Sequence, residues 1–223
     1  ATVGRMKTAL ITGASRGIGR AIAEELGKDH HIIAGASRDA SEVVRALPSA
    51  EPFEVDLTDT EALIRAARAI EQVDVLVHAA GVLHKAPFAE LTEAQWRESM
   101  EVNVHAPITL TRELLPALRR SRGLLLTINS GAGFFGVAEN SAYCASKFAL
   151  RGFTDSLRLE EAGAIRVTSL HPGRTNTDMI AAPQHGDAPK MAATSVAKAA
   201  RLAVDAGPDA VVDFLRITPT GLE

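Results

Sequence analysis

The chain has 223 residues, of which 46% are hydrophobic and 23% charged, a balance that fits one domain with a sizeable core. Its formal net charge of -3 gives no electrostatic footprint for nucleic acid, and no apolar run is long enough to span a bilayer. Cys144 is the only cysteine, which excludes an internal disulfide and agrees with a reducing, cytoplasmic setting.

Short β-rich runs alternate with helical patterns along the chain. Residues 1–5 read as an extension, with Met6 as a natural start and Lys7 opening the first strand; Leu222 and Glu223 read as a tail. Strands are predicted at 9–12, 32–36, 53–55, 75–78, 124–129, 167–170 and 211–217. Several are near-continuous apolar runs, as expected of parallel strands buried on both faces. Helices are predicted to begin near Gly17, Asp59, Glu93, Ser141 and Thr194. Thr58 with Glu61, and Thr92 with Gln95, have capping-box spacing. Arg119, Arg120 and Arg122 form the densest basic cluster and read as a solvated helix end. Residues 174–190 hold Pro183, Gly186 and Pro189 and read as a surface loop. The alternation predicts a doubly wound parallel α/β sheet of about seven strands with helices on both faces, in a single domain over 1–223.

The first strand runs straight into Gly13-Ala14-Ser15-Arg16-Gly17-Ile18-Gly19. In such a strand-to-helix turn, glycines let the backbone approach a pyrophosphate, and the helix N-terminus offers free N–H groups and a positive dipole end. Further along, Tyr143 and Lys147 stand at i and i+4 and share a helix face, with Ser130 upstream at the end of a strand. An ammonium beside a phenol favours the phenolate, so Lys147 is expected to lower the Tyr143 pKa and let it exchange a proton. Ser130 lies at the carboxyl edge of the sheet, where ligands of α/β folds bind.

The glycine spacing, Ser130, the Tyr143-to-Lys147 interval and the Pro172-Gly173 pair, in this order, resemble the single-domain short-chain dehydrogenase/reductase family over about 7–217. The resemblance implies a Rossmann-type fold and reversible hydride transfer between a nicotinamide cofactor and a carbonyl or alcohol. It implies that Tyr143 is the proton donor, that Lys147 tunes it and holds the nicotinamide ribose, that Ser130 orients the carbonyl, and that Asn103 holds a water extending the relay. It also implies cofactor contacts from Gly13, Ser15, Arg16, Gly17, Ile18 and Gly19, an adenine contact from Asp56 beside Leu57, and close passage at Ala79, Ala80 and Gly81. Pro172, Gly173, Thr175 and Thr177 match the nicotinamide side. His78 stands where the family commonly has asparagine; no ligand set suggests a metal there.

An NAD site usually places an acidic residue at the end of the second strand to accept from the ribose 2′-OH. Here Ser37 occupies that position, followed by Arg38, with Arg16 in the glycine turn. Two guanidinium groups suit a 2′-phosphate, so NADPH is expected over NADH. Asp39 competes for Arg38. Segments 82–88, 131–140 and 174–190 are expected around the nicotinamide, bringing Leu83, Phe134, Phe135, Val137, Met179 and Ile180 to a hydrophobic carbonyl compound, with His84, Lys85 and His185 as candidates for an acidic group. The plain alternative is that Phe134 and Phe135 pack the core, and His171 reads as a strand-end residue. The resemblance further implies a homodimer, with a tetramer less favoured by the short C-terminal region. A rival reading, a dinucleotide-sensing binding protein, does not need the intact serine, tyrosine and lysine.

Overall fold

The computed structural model describes residues 5–180, 188–207 and 209–221. Among these, seven strands run Lys7–Thr12 (β1), His30–Ala36 (β2), Ala50–Glu54 (β3), Val75–His78 (β4), Leu124–Ile128 (β5), Arg166–Pro172 (β6) and Phe214–Ile217 (β7). They form one parallel sheet in the order β3-β2-β1-β4-β5-β6-β7. The order reverses between β1 and β4, and a crevice opens at the carboxyl ends of those two strands. That is where open α/β sheets bind ligands.

Helices cover both faces: Gly17–Leu26 (α1), Ser41–Ala46 (α2), Thr60–Arg68 (α3), Glu93–Met100 (α4), Ala106–Ser121 (α5), Ser141–Glu160 (α6) and Ala193–Asp205 (α7). Side chains alternate along each buried strand. Ala9, Ile11, Val75, Val77, Leu124 and Leu126 pack on α1 and α7, while Leu10, Ile33, Leu76, Leu125 and Val167 pack on α3 and α5. No described helix is long and apolar enough to cross a membrane.

The fold departs from the sequence reading in several places, each with a local cause. Strand β3 begins at Ala50 and passes through Pro52, which an edge strand tolerates because its outer N–H has no ladder partner to lose. Strand β7 begins at Phe214 rather than Val211, and β6 runs on to Pro172, paired with Ile217. Helix α2 was not expected, being too short to show a period. The Thr92–Gln95 capping box is present. The Thr58–Glu61 box is not: Asp59 caps α3, its carboxylate accepting from the Ala62 N–H at 2.9 Å. Thr58 instead donates to Asp56 from both its N–H and its hydroxyl, at 2.9 and 2.8 Å. Arg5, expected outside the fold, is held by Asp74, with Nη2 at 2.8 and 3.1 Å from the two carboxylate oxygens.

Between α4 and α5 the helix widens into a π-helical segment, Glu101–His105, closed by the Ala106 N–H donating to the Glu101 carbonyl. Asn103 sits in the middle of it. Such widened turns recur at functional positions.

Candidate active site

Two loops meet at the crevice with no room to spare. Gly13 and Gly17 have φ of 67° and 58°, in the left-handed region that favours glycine. A Cβ on Gly13 would stand 2.8 Å from the Ala80 Cα, and one on Gly19 only 2.2 Å from the Gly13 carbonyl oxygen. The Thr12 hydroxyl fastens the second loop, accepting from the Ala79 and Ala80 N–H groups at 3.1 and 3.2 Å. Helix α1 starts at Gly17 with no side-chain cap and no acidic residue in its first turn. Its end therefore suits an anion, from both free N–H groups and the dipole.

These loops wall a cleft of about 770 Å³. Gly13, Ser15, Arg16, Gly17, Ile18 and Gly19 line one side, Ser37, Arg38, Asp56 and Leu57 the far end, and Ala79, Ala80 and Gly81 the floor, with Thr177 and Met179 across the mouth. Val82, from the predicted segment 82–88, also lines it, as do Val55 and Val102, which carried no sequence signal beyond being apolar. Pro172, Gly173 and Thr175 do not line this cleft. The Gly173 N–H donates to the Ile217 carbonyl at 2.7 Å, and the buried Thr175 donates its hydroxyl to the Gly173 carbonyl at 3.0 Å.

Charge at the far end is set by a few groups. Asp39 does not engage Arg38: its carboxylate accepts from the Ser41 N–H at 2.8 Å. Among the described residues Arg38 forms no ion pair, while exposed Arg16 has Asp178 at 3.7 Å. The Asp56 carboxyl is held below its usual range by the Thr58 N–H and hydroxyl, and further by the charge of Arg38. His84 and Lys85 are not free for an acidic ligand. His84 Nε2 lies 2.8 Å from Glu98 and Lys85 Nζ 3.3 Å from Glu139. His185 lies outside the described residues, as do Pro183 and Gly186.

Ser130 stands two residues past the end of β5, and α6 brings Tyr143 and Lys147 to it; like Asn103, these three do not line the cleft but stand beside it. A hydrogen bond from the Ser130 side chain lowers the Tyr143 pKa, but burial of the phenol outweighs it and the value is raised overall. The expected lowering by Lys147 is not what the structure shows. The ammonium lies 5.5 Å from the Tyr143 ring centroid, donates to the Ile128 carbonyl at 3.0 Å, and is itself brought down to about 8 by burial. Lys147 also stands 4.0 Å from where a Gly81 Cβ would project, at the cleft floor. The Asn103 amide donates to the Val82 carbonyl and the Ser146 hydroxyl, both at 3.0 Å, and accepts from the Val82 N–H at 2.9 Å. That side chain is fully engaged and fixes Val82 beside the cleft.

Asn129 was missed in the sequence. Its Oδ1 accepts from the Ser130 N–H at 2.9 Å and its Nδ2 donates to the Lys147 carbonyl at 3.2 Å, so one side chain spans the serine and the tyrosine-bearing helix. The only hint was a polar residue closing an apolar strand. His78, buried, bonds Thr111 Oγ1 through Nε2 at 2.8 Å, and burial lowers its pKa to about 3. Phe135 is exposed, whereas Phe134 packs on His171.

The family model described as short chain dehydrogenase matches residues 7–187. Glycine betaine reductase ATRR of Emericella nidulans is 36% identical over 187 residues, covering 78% of this chain but 15% of that much longer protein. The NADPH-dependent pterin aldehyde reductase of Arabidopsis thaliana is 30% identical over 187 residues, covering 78% of this chain and 77% of the relative. A putative NAD(P)-dependent gluconate 5-dehydrogenase from Beutenbergia cavernae, solved with bound NADP, superposes with a TM-score of 0.86 at 33% identity, covering 94% of each chain.

Proposed function

Because the chain belongs to the short chain dehydrogenase family, we propose that it is an NADPH-dependent reductase of a ketone or aldehyde, reversible as an alcohol dehydrogenase. One observation carries the reading: Ser130, Tyr143 and Lys147 converge beside a glycine-walled cleft whose helix end and two arginines suit a phosphorylated dinucleotide. The cradle itself depends on glycine, because a Cβ on Gly13 or Gly19 would clash with the backbone of the loops that form it.

Gly13 and residues 15–19 would hold the pyrophosphate, Arg16 and Arg38 with Ser37 the 2′-phosphate, Asp56 and Leu57 the adenine, and residues 79–81 the ribose side. Thr177 would approach the nicotinamide end, with Pro172, Gly173 and Thr175 shaping the strand exit behind it. Held there, the cofactor would supply the hydride that reduction of the carbonyl carbon needs. Tyr143 gives its phenolic proton to the carbonyl oxygen. Burial keeps this phenol protonated, which suits a donor in the reductive direction. The Ser130 hydroxyl orients the carbonyl and steadies charge on its oxygen. Lys147 would fix the ribose, with its ammonium 5.5 Å from the Tyr143 ring centroid and its pKa lowered by burial. Asn103 holds the Val82 backbone and the π-helical turn in place behind the relay. Leu83 and Met179 at the mouth favour a hydrophobic substrate. The same reading places one catalytic domain in the cytoplasm as a homodimer.

The test follows NADPH consumption by purified protein against ketones, aldehydes, diketones and quinones, with NADH in parallel. Turnover with NADPH supports the reading. Tight NADPH binding without turnover of any carbonyl would favour a binding protein.

A further inference from the structure

Both main-chain groups of Ser130 are held by buried side chains. Asn129 takes the N–H, as described above, while the carbonyl receives the Gly133 N–H at 3.1 Å and faces His171 Nδ1 at 3.0 Å. His171 is 1% exposed, two positions past Ser169 on β6, so both side chains project to the same face of the sheet.

The partners fix the tautomer. A carbonyl only accepts, so Nδ1 carries the proton and donates to Ser130. Nε2 is then an acceptor, and the Ser169 hydroxyl donates to it at 2.8 Å. Behind Ser169 stand Thr127 Oγ1 at 3.4 Å and, 3.3 Å from that, Thr154, whose hydroxyl donates to the Leu150 carbonyl at 2.7 Å. The hydrogen-bonded thread runs from Thr127 on β5 through Ser169 and His171 on β6 to the peptide of Ser130, and burial brings the imidazole down to about 4, keeping it neutral. Aromatic packing sets the ring's orientation: Phe134 lies 4.4 Å and Phe214 4.7 Å from it, centroid to centroid, and the Arg151 guanidinium sits 4.2 Å from the Phe134 centroid.

We infer that His171 is a positioning residue for Ser130, holding the serine peptide so that its hydroxyl meets Tyr143. The inference rests on the proposed reductase reading. His171 has no part in proton transfer, because both ring nitrogens are engaged away from the cleft.

The test is a double-mutant cycle. Wild type, His171→Phe, Ser130→Ala and the double variant are assayed for NADPH-dependent reduction of the best carbonyl substrate. Phenylalanine keeps the ring packing and removes the donor. His171→Phe should lower kcat about tenfold, as expected for one well-placed hydrogen bond, with the KM for NADPH unchanged. The same change should cost less than about twofold in the Ser130→Ala background, because the two act as a unit. His171→Asn, whose Nδ2 stands near the place of Nδ1, should restore most of kcat. Equal losses in both backgrounds, no loss beside Ser130, or failure of asparagine to rescue would overturn the inference. Should His171→Phe fail to fold, Ser169→Ala decides: a kcat loss only when Ser130 is present supports the inference, and an equal loss without it refutes it. A wild type that reduces no carbonyl overturns the functional reading and this inference together, whereas an active wild type insensitive to these changes overturns only this one.

Discussion

Several polar side chains near Ser130 have a settled hydrogen-bonding task, and this separates the groups free to do chemistry from those that hold them. Asn103 and Asn129 spend their amides on backbone partners and, for Asn103, on the Ser146 hydroxyl as well. Tyr143 keeps a phenol that burial holds in the neutral form. At the far end of the cleft, Arg38 makes no ion pair among the described residues, whereas Arg16 is shared with Asp178. Arg38→Ala should therefore raise the KM for NADPH tenfold or more, about the worth of a charged hydrogen bond, and leave that for NADH within about twofold. Steady-state kinetics with both cofactors checks this, and equal changes for both would remove Arg38 from the 2′-phosphate. That the glycine turn, Ser130, Tyr143 and Lys147 gather at one sheet edge was legible from their order along the chain, while the roles proposed for them came from the family resemblance. Asn129 and the pairing of His84 and Lys85 with carboxylates were not legible, since partners far along the chain decide where a polar side chain turns.

At the scale of elements, α1 and α6 carry the site, and their glycines work in opposite ways. Gly19 leaves no room for a Cβ, whereas Gly152, midway along α6, has nothing within 4 Å of one. Gly19→Ala should destabilise the fold by about 1–3 kcal/mol and abolish tight NADPH binding, because the clash is with backbone. Gly152→Ala should stabilise by about 1 kcal/mol through helix propensity. Chemical denaturation of both variants gives the signs, and a destabilising Gly152→Ala would mean that another surface covers this face of α6, as a dimer would. The strand and helix order was readable from apolar runs and breakers. The π-helical segment was not, since widening a helix at residues 101–105 leaves the run of residue types unchanged. The Thr58 box failed because Asp59, one residue closer to α3, takes the cap position with a charged acceptor for the Ala62 N–H, while Thr58 turns to Asp56.

Taken whole, the molecule buries neutral histidines in its sheet, and this sets its response to acid. Burial lowers His78 to about 3 and His171 to about 4, against an ordinary 6.5. Between those values the unfolded chain binds protons that the native state refuses, so stability falls as pH drops below 6.5. The combined loss approaches several kcal/mol, roughly 1.4 kcal/mol per unit of displacement at each site. Urea midpoints should decline steeply from pH 6.5 to 4.5. His78→Asn should flatten that slope, and an unchanged slope would show that His78 does not titrate in this way. Lys147 acts at the other end: buried at about 8 and ordinarily at 10.5, it stabilises the fold increasingly as pH rises between the two. The single sheet with its crevice between β1 and β4 followed from the alternation of strands and helices, while the edges at β3 and β7 depended on pairing that local pattern does not encode.

The most direct measurement compares wild type with Tyr143→Phe, following NADPH oxidation with a ketone or aldehyde substrate while cofactor binding is read separately by fluorescence. The expected result is turnover by the wild type and a kcat lowered by about 10²–10⁴ in the variant, with NADPH affinity preserved. Comparable turnover in both proteins would contradict proton donation by Tyr143, and with it the role assigned to the cluster of Ser130, Tyr143 and Lys147.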